Sequence, residues 1–147
     1  MINQVSEVQL SYKNKVKKAD RIKISNSQNC YDAVKDYYSD FVDYKEKFGV
    51  LVMNRDNEAL AFKIVSEGDL TGTVVDMKEI FLIAIKVRGS SIIIFHNHPS
   101  GKLKPSESDK KITDKISKSG KMLDVNLLDH IIISSEGYYS FADEGLI

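Results

Sequence analysis

The chain has 147 residues, with 21 basic and 21 acidic side chains, so its formal net charge is zero, which argues against a histone-like or general polyanion-binding protein. Hydrophobic residues make up 42% of it, too many for disorder by composition and enough for one domain with a real core. A single cysteine, Cys30, excludes a disulfide framework and any zinc site built from four cysteines, and it suits a reducing compartment.

Residues 1–25 read as a basic arm, with Lys13, Lys15, Lys17, Lys18, Arg21 and Lys23 set against Glu7 and Asp20. Its N-terminus lacks a basic stretch followed by an apolar one, so no secretory signal is expected. Val8, Leu10 and Tyr12 alternate, which predicts a short strand; its lysines would blunt edge pairing, or else meet nucleic acid or an acidic partner. Residues 26–147 read as one domain. Ser27 is placed to cap a helix over about 28–46, where Tyr31, Val34, Tyr38, Phe41 and Val42 recur at helical spacing. The aromatic residues of this segment lie among Asp32, Asp36, Asp40, Asp43 and Glu46, which would repel phosphate, so they read as core rather than as a base-stacking platform.

Phe48–Met53 and Leu60–Val65 predict a hairpin across the turn cluster Asn54–Asn57. Gly68, Gly72 and the Thr71/Thr73 pair mark a loop. Asp76, with Glu79 three positions on, opens a helix that turns Ile80, Ile83, Ala84 and Val87 to one side and that Gly89 would end. Its run Ile80–Ile85 is the longest apolar stretch of the chain and far short of a membrane span. Ser91–His96 is a short buried strand. A loop to Pro105 follows, then a helix from Ser106 to about Ser119 with Gly120 as its stop. Leu127–Ile133 and Tyr138–Phe141 are two further strands. Helices alternating with strands predict an α/β fold, a sheet with helices laid on it.

Both prolines of the chain, Pro99 and Pro105, sit in one loop beside two of its three histidines. The stretch is His96-Asn97-His98-Pro99-Ser100-Gly101, then Pro105-Ser106-Glu107-Ser108-Asp109. Residues two apart on an extended segment point to the same side, so His96 and His98 can offer two imidazoles to one point. Such a pair favours zinc, nickel, cobalt or ferrous iron over magnesium or calcium. Asp109, eleven residues after His98, is available as a third ligand, leaving one position for water. The competing reading is that Ser106-x-x-Asp109 is a helix-capping box. The two roles are compatible. Cys30 has no basic or histidine neighbour in sequence and reads as a packed thiol. Asp129 and His130, on a buried strand, read either as structural hydrogen-bonding groups or as supports for a metal site.

His96–Gly101 followed by Pro105-Ser106-x-x-Asp109 resembles the JAMM/MPN+ metalloprotease signature, His-x-His-x7-Ser-x2-Asp. His-Asn-His-Pro-Ser-Gly, Leu128–Ile133 and Tyr138–Gly145 resemble the RadC-like branch of that family, in a short form without the helix-hairpin-helix region of its longer members. The resemblance covers about residues 25–147. It implies a three-layer α/β/α sandwich around a mixed sheet, like that of the cytidine deaminases. Deaminase chemistry itself is excluded, because there is no His-x-Glu followed by Pro-Cys-x-x-Cys.

The resemblance further implies zinc as cofactor, with His96, His98 and Asp109 as its ligands and water as the fourth. Ser106 would stabilise the oxyanion. A glutamate before the first core strand would act as general base, and Glu46 matches; Glu58, Glu67 and Glu79 are its rivals. The expected function is zinc-dependent hydrolysis of a peptide or isopeptide bond in a protein substrate, in the cytoplasm and with no membrane partner. The alternative is a DNA-repair-associated accessory protein whose partner is DNA or a DNA-processing protein and whose metal is structural or vestigial. The basic arm motivates that alternative, although the arm carries no helix-hairpin-helix pattern.

Overall fold

A hairpin opens the sheet and a single parallel pair forms its centre in the computed structural model, which describes residues 4–68 and 75–147. The elements are α1 (Ser27–Tyr38), β1 (Lys47–Met53), β2 (Ala59–Glu67), α2 (Met77–Lys86), β3 (Ser91–Asn97), α3 (Glu107–Met122), β4 (Asn126–Ser134) and β5 (Gly137–Ser140), with a 3-10 turn at Lys18–Asp20. The five strands pair in the order β2-β1-β3-β4-β5. Only β3 and β4 are parallel, joined through α3 as their crossover.

β3 is buried along its whole length, as its run of isoleucines and Phe95 demands. Alternation along it divides the core in two. Ile92 and Ile94 pack with Ile80, Phe81 and Ala84 of α2 and Ile116 of α3. Ile93 and Phe95 pack with Cys30, Val34 and Tyr38 of α1. Helices therefore cover both faces of a mixed sheet, the expected three layers. Cys30 is a buried thiol. No helix among the described residues is long and apolar enough to cross a membrane.

Several local expectations are corrected. The alternating Val8, Leu10 and Tyr12 form no strand; Val8 and Leu10 stand exposed, and alternation without a facing partner has no ladder to join. The cap of α1 is Asn26, whose side chain accepts from the Asn29 amide, rather than Ser27. That helix ends at Tyr38, well before residue 46, and the chain runs on to Tyr44 in turns. Gly89 does not end α2 in a left-handed turn: Arg88 takes the positive φ, and a Cβ on Gly89 would lie 2.1 Å from Val52 Cγ1. Gly120 lies inside α3 rather than after it, where a Cβ would meet the Val125 carbonyl oxygen at 2.2 Å. The Asp76 cap of α2, accepting from the Glu79 amide, is as expected. Thr71, Gly72 and Thr73 lie outside the described residues, as do residues 1–3.

Candidate metal centre

The site stands where β3 leaves the sheet. His98 is past the last residue of β3, but its amide donates to the Ile133 carbonyl at 2.9 Å, so the backbone stays extended through it. His96 and His98 thereby emerge on one side and Asn97 on the other. The Gly101 amide then donates to the His98 carbonyl at 2.9 Å. Gly101 has φ +85°, a left-handed conformation open to glycine, and this turn sends the chain back toward the start of α3.

That start is a complete capping box. The Asp109 amide donates to Ser106 Oγ at 3.0 Å, and the Ser106 amide donates to Asp109 Oδ2 at 2.8 Å. The same carboxylate faces both histidines: Oδ1 lies 3.2 Å from His96 Nε2, and Oδ2 lies 3.2 Å from His98 Nε2. Capping and convergence coexist on one side chain. The two Nε2 atoms are 2.8 Å apart.

Three donor atoms at these separations fit a small divalent ion. A tetrahedron with bonds of about 2.1 Å has edges of about 3.4 Å, so slight spreading of the side chains would admit one. His98 donates from Nδ1 to the Lys102 carbonyl at 2.8 Å, since a carbonyl cannot supply the hydrogen; in its neutral form the ring would therefore turn a bare lone pair inward. His96, His98 and Asp109 could together hold a metal ion.

Electrostatics agree with the donor set. Burial opposes charge on Asp109, but His96, His98 and the Ser106 amide hold its carboxyl well below the usual carboxylate range. Burial likewise disfavours charge on His98, yet Asp109, the Lys102 carbonyl and Glu46 raise its pKa above the ordinary imidazole value. A second layer lies behind His96. Its Nδ1 is 2.7 Å from Nε2 of the buried His130, whose Nδ1 is 2.6 Å from Thr113 Oγ1. Burial, and then His96, push the pKa of His130 well below normal. Phe48 stacks on His96 and Phe141 on His130.

Glu46 immediately precedes β1 and lines a cavity of about 350 Å3 together with Tyr44, Lys45, Gly68, His98, Pro99 and Ser100. Its rivals are engaged elsewhere. Glu58 binds Arg21 and Asn54, Glu67 pairs with Lys45 and Lys47, and Glu79 pairs with Lys63. Ser106 is exposed at the start of α3. Asp129 belongs to a different arrangement: its carboxylate accepts from Ser140 Oγ and from the amides of His130 and Ala142.

Two contributors were not singled out by sequence reasoning. Thr113 looks like an ordinary helix residue, and only its position beneath His130 distinguishes it. Asn97, between the two histidines, is fully buried. Its Nδ2 donates to the carbonyls of Phe41, Val42 and Lys45 at 3.3, 3.0 and 2.9 Å, and its Oδ1 accepts from the Lys47 amide at 2.8 Å. The Phe41 carbonyl also accepts from the Lys45 amide at 3.1 Å, so Asn97 clasps the turns that lie between α1 and β1. The signal for Asn97 was its letter, a buried carboxamide on the face of β3 opposite His96 and His98.

Comparison with known proteins gives one consistent picture. Residues 24–146 match the family described as RadC-like JAB domain. A UPF0758 protein of Flavobacterium johnsoniae is 45% identical over 101 residues, covering 69% of this chain and 44% of that protein. A UPF0758 protein of Chlorobaculum parvum is 38% identical, covering 85% of this chain and 55% of its own length. One from Chlorobium chlorochromatii is 41% identical, covering 70% and 46%. The chain spans about half the length of these curated relatives.

Proposed function

The chain belongs to the RadC-like JAB domain family, and on that premise we propose that it is a zinc-dependent hydrolase of peptide or isopeptide bonds. Zinc held by His96, His98 and Asp109 would supply Lewis acidity and lower the pKa of a water at its open position to about 7. Glu46 takes a proton from the attacking water and later delivers it to the departing amine nitrogen, so the C–N bond breaks without expelling an amide anion. Ser106 has a hydrogen to spare for the oxyanion, because its cap uses a lone pair of Oγ and leaves the O–H free. The substrate is a protein or peptide, entering through the cavity between Glu46 and His98. The buried thiol Cys30 suits the reducing cytoplasm, where we set the enzyme.

The observation that carries this reading is the arrangement of a convergent His-His-Asp set with a glutamate lining the same cavity as one of the histidines. The test is Glu46→Gln, assayed on a panel of peptide and isopeptide substrates beside wild type. It should bind zinc as wild type does while cleaving about 10²–10⁴-fold more slowly. Equal cleavage by a zinc-loaded Glu46→Gln protein would remove Glu46 from the role.

A second reading, as a DNA-associated accessory protein, is favoured only by the exposed lysines of the arm, Lys13, Lys15, Lys17 and Lys18. It requires a salt-dependent affinity for DNA that is lost when those four lysines become alanine. No binding at low salt would end it.

A further inference from the structure

We infer that His130 and Thr113 are positioning residues that fix the tautomer of His96, so that its metal-facing nitrogen is bare before any ion arrives. This deepens the metal-site reading and rests on it.

Thr113 Oγ1 lies 2.6 Å from the Asp109 carbonyl oxygen. A carbonyl cannot donate, so the single hydroxyl hydrogen of Thr113 points there. Oγ1 is also 2.6 Å from His130 Nδ1. With its hydrogen spent, the hydroxyl can only accept, and Nδ1 of His130 must carry the proton. Neutral His130 then has a bare Nε2, which lies 2.7 Å from His96 Nδ1. That contact requires the His96 proton on Nδ1. His96 Nε2 is left as a lone pair, aimed at His98 Nε2 and Asp109 Oδ1.

The chain of donors runs one way: His96 to His130 to Thr113 to the Asp109 carbonyl. It starts at one ligand and ends on the main chain of another, and all three side chains within it, those of His96, His130 and Thr113, are buried. His98 has its Nδ1 hydrogen fixed separately, by the Lys102 carbonyl. Without Thr113 Oγ1, His130 loses its acceptor and can invert, placing a hydrogen on Nε2. His96 would then have to accept at Nδ1 and carry its own proton on Nε2, where the ion must bind.

The test uses the full chain with ¹⁵N-labelled histidine, stripped of zinc by a chelator. Two-bond ¹H–¹⁵N correlations at about pH 8, where imidazole is ordinarily neutral, should show His96 and His130 both as the Nδ1–H tautomer. Thr113→Val, nearly isosteric, should move His96 toward Nε2–H. It should also weaken zinc binding, in competition with a chromophoric chelator, by about 10–100-fold. Thr113→Ser should restore both. An Nε2–H tautomer on His96 in the wild type overturns the relay, as does a folded Thr113→Val protein with wild-type tautomers and affinity. If Thr113→Val does not fold, the wild-type spectrum alone decides. A wild type that binds no zinc would overturn the metal reading, while the zinc-free spectrum judges the relay separately.

Discussion

Asn97 brackets Glu46. Its carboxamide donates to the carbonyl of Lys45 on one side and accepts from the amide of Lys47 on the other. The residue between the two histidines therefore holds the main chain of the glutamate on the cavity wall, although it lies on the opposite face of β3.

Asn97→Ala should consequently separate metal binding from turnover. Removing a buried carboxamide with four partners leaves main-chain groups unpaired, at a cost of about 1–3 kcal/mol or more. Chemical denaturation should register that loss. Elemental analysis should find the metal content unchanged, since neither histidine nor Asp109 uses Asn97, while hydrolysis falls. Asn97→Asp should be worse than its shape suggests, because a carboxylate would face three carbonyl oxygens.

Metal removal should destabilise the protein. An ion present at 100 times its dissociation constant adds about 2.7 kcal/mol to the folded state. A chelator should lower the melting temperature of wild type and leave that of His98→Ala and Asp109→Ala unmoved. Roughly one metal per chain in wild type and none in either variant is the expected elemental analysis. Equal metal in all three would dissolve the ligand assignment.

Ser106 is predicted to do two things that substitution can divide. Ser106→Ala loses the cap of α3, worth about 1 kcal/mol, and also the hydroxyl hydrogen. Ser106→Asp keeps a capping acceptor but has no such hydrogen when ionised. Stability should recover in Ser106→Asp while turnover stays low, and Ser106→Thr should recover both. Urea melts and peptide hydrolysis on the three variants measure this.

Cys30 should be inert in the folded protein. Burial, with Asp129 adding to it, drives its thiol pKa far upward. In the unfolded chain the thiol ionises at about pH 8.5. The folded state thus keeps a proton that the unfolded state releases, so stability falls as pH rises above about 8.5. Alkylation at about pH 8 should proceed at the rate of unfolding, and the alkaline loss of stability should be shallower in Cys30→Ala. Rapid labelling of native protein would contradict the burial of this thiol.

Strong local patterns made much of this molecule legible in its sequence. The isoleucine run of β3 could only be a buried strand, and the Asp76–Glu79 pair announced α2. The His96/His98 spacing works because an extended backbone repeats every two residues, and the chain is held extended one residue past the strand. What was illegible depends on contacts across distance. The turns that follow α1 are held by Asn97, more than fifty positions away. Gly120 and Gly89 owe their lack of a side chain to Val125 and Val52, and not to turns. Val8 and Leu10 had the rhythm of a strand, but a ladder needs a neighbour, and nothing in the rhythm supplies one. Thr113 carries no pattern at all.

The His96–Asp109 pair and Glu46 are tethered on very different scales. His96 and Asp109 are thirteen positions apart, so closing the loop between them costs little chain entropy. Glu46 is held by contacts of longer span: the Lys47 amide beside it donates to Asn97, 50 positions away, and its own carbonyl accepts from the Gly68 amide. The two groups should therefore be separable by substitution. A change at Glu46 or Asn97 should silence the proposed hydrolysis while leaving the short His96–Asp109 loop closed.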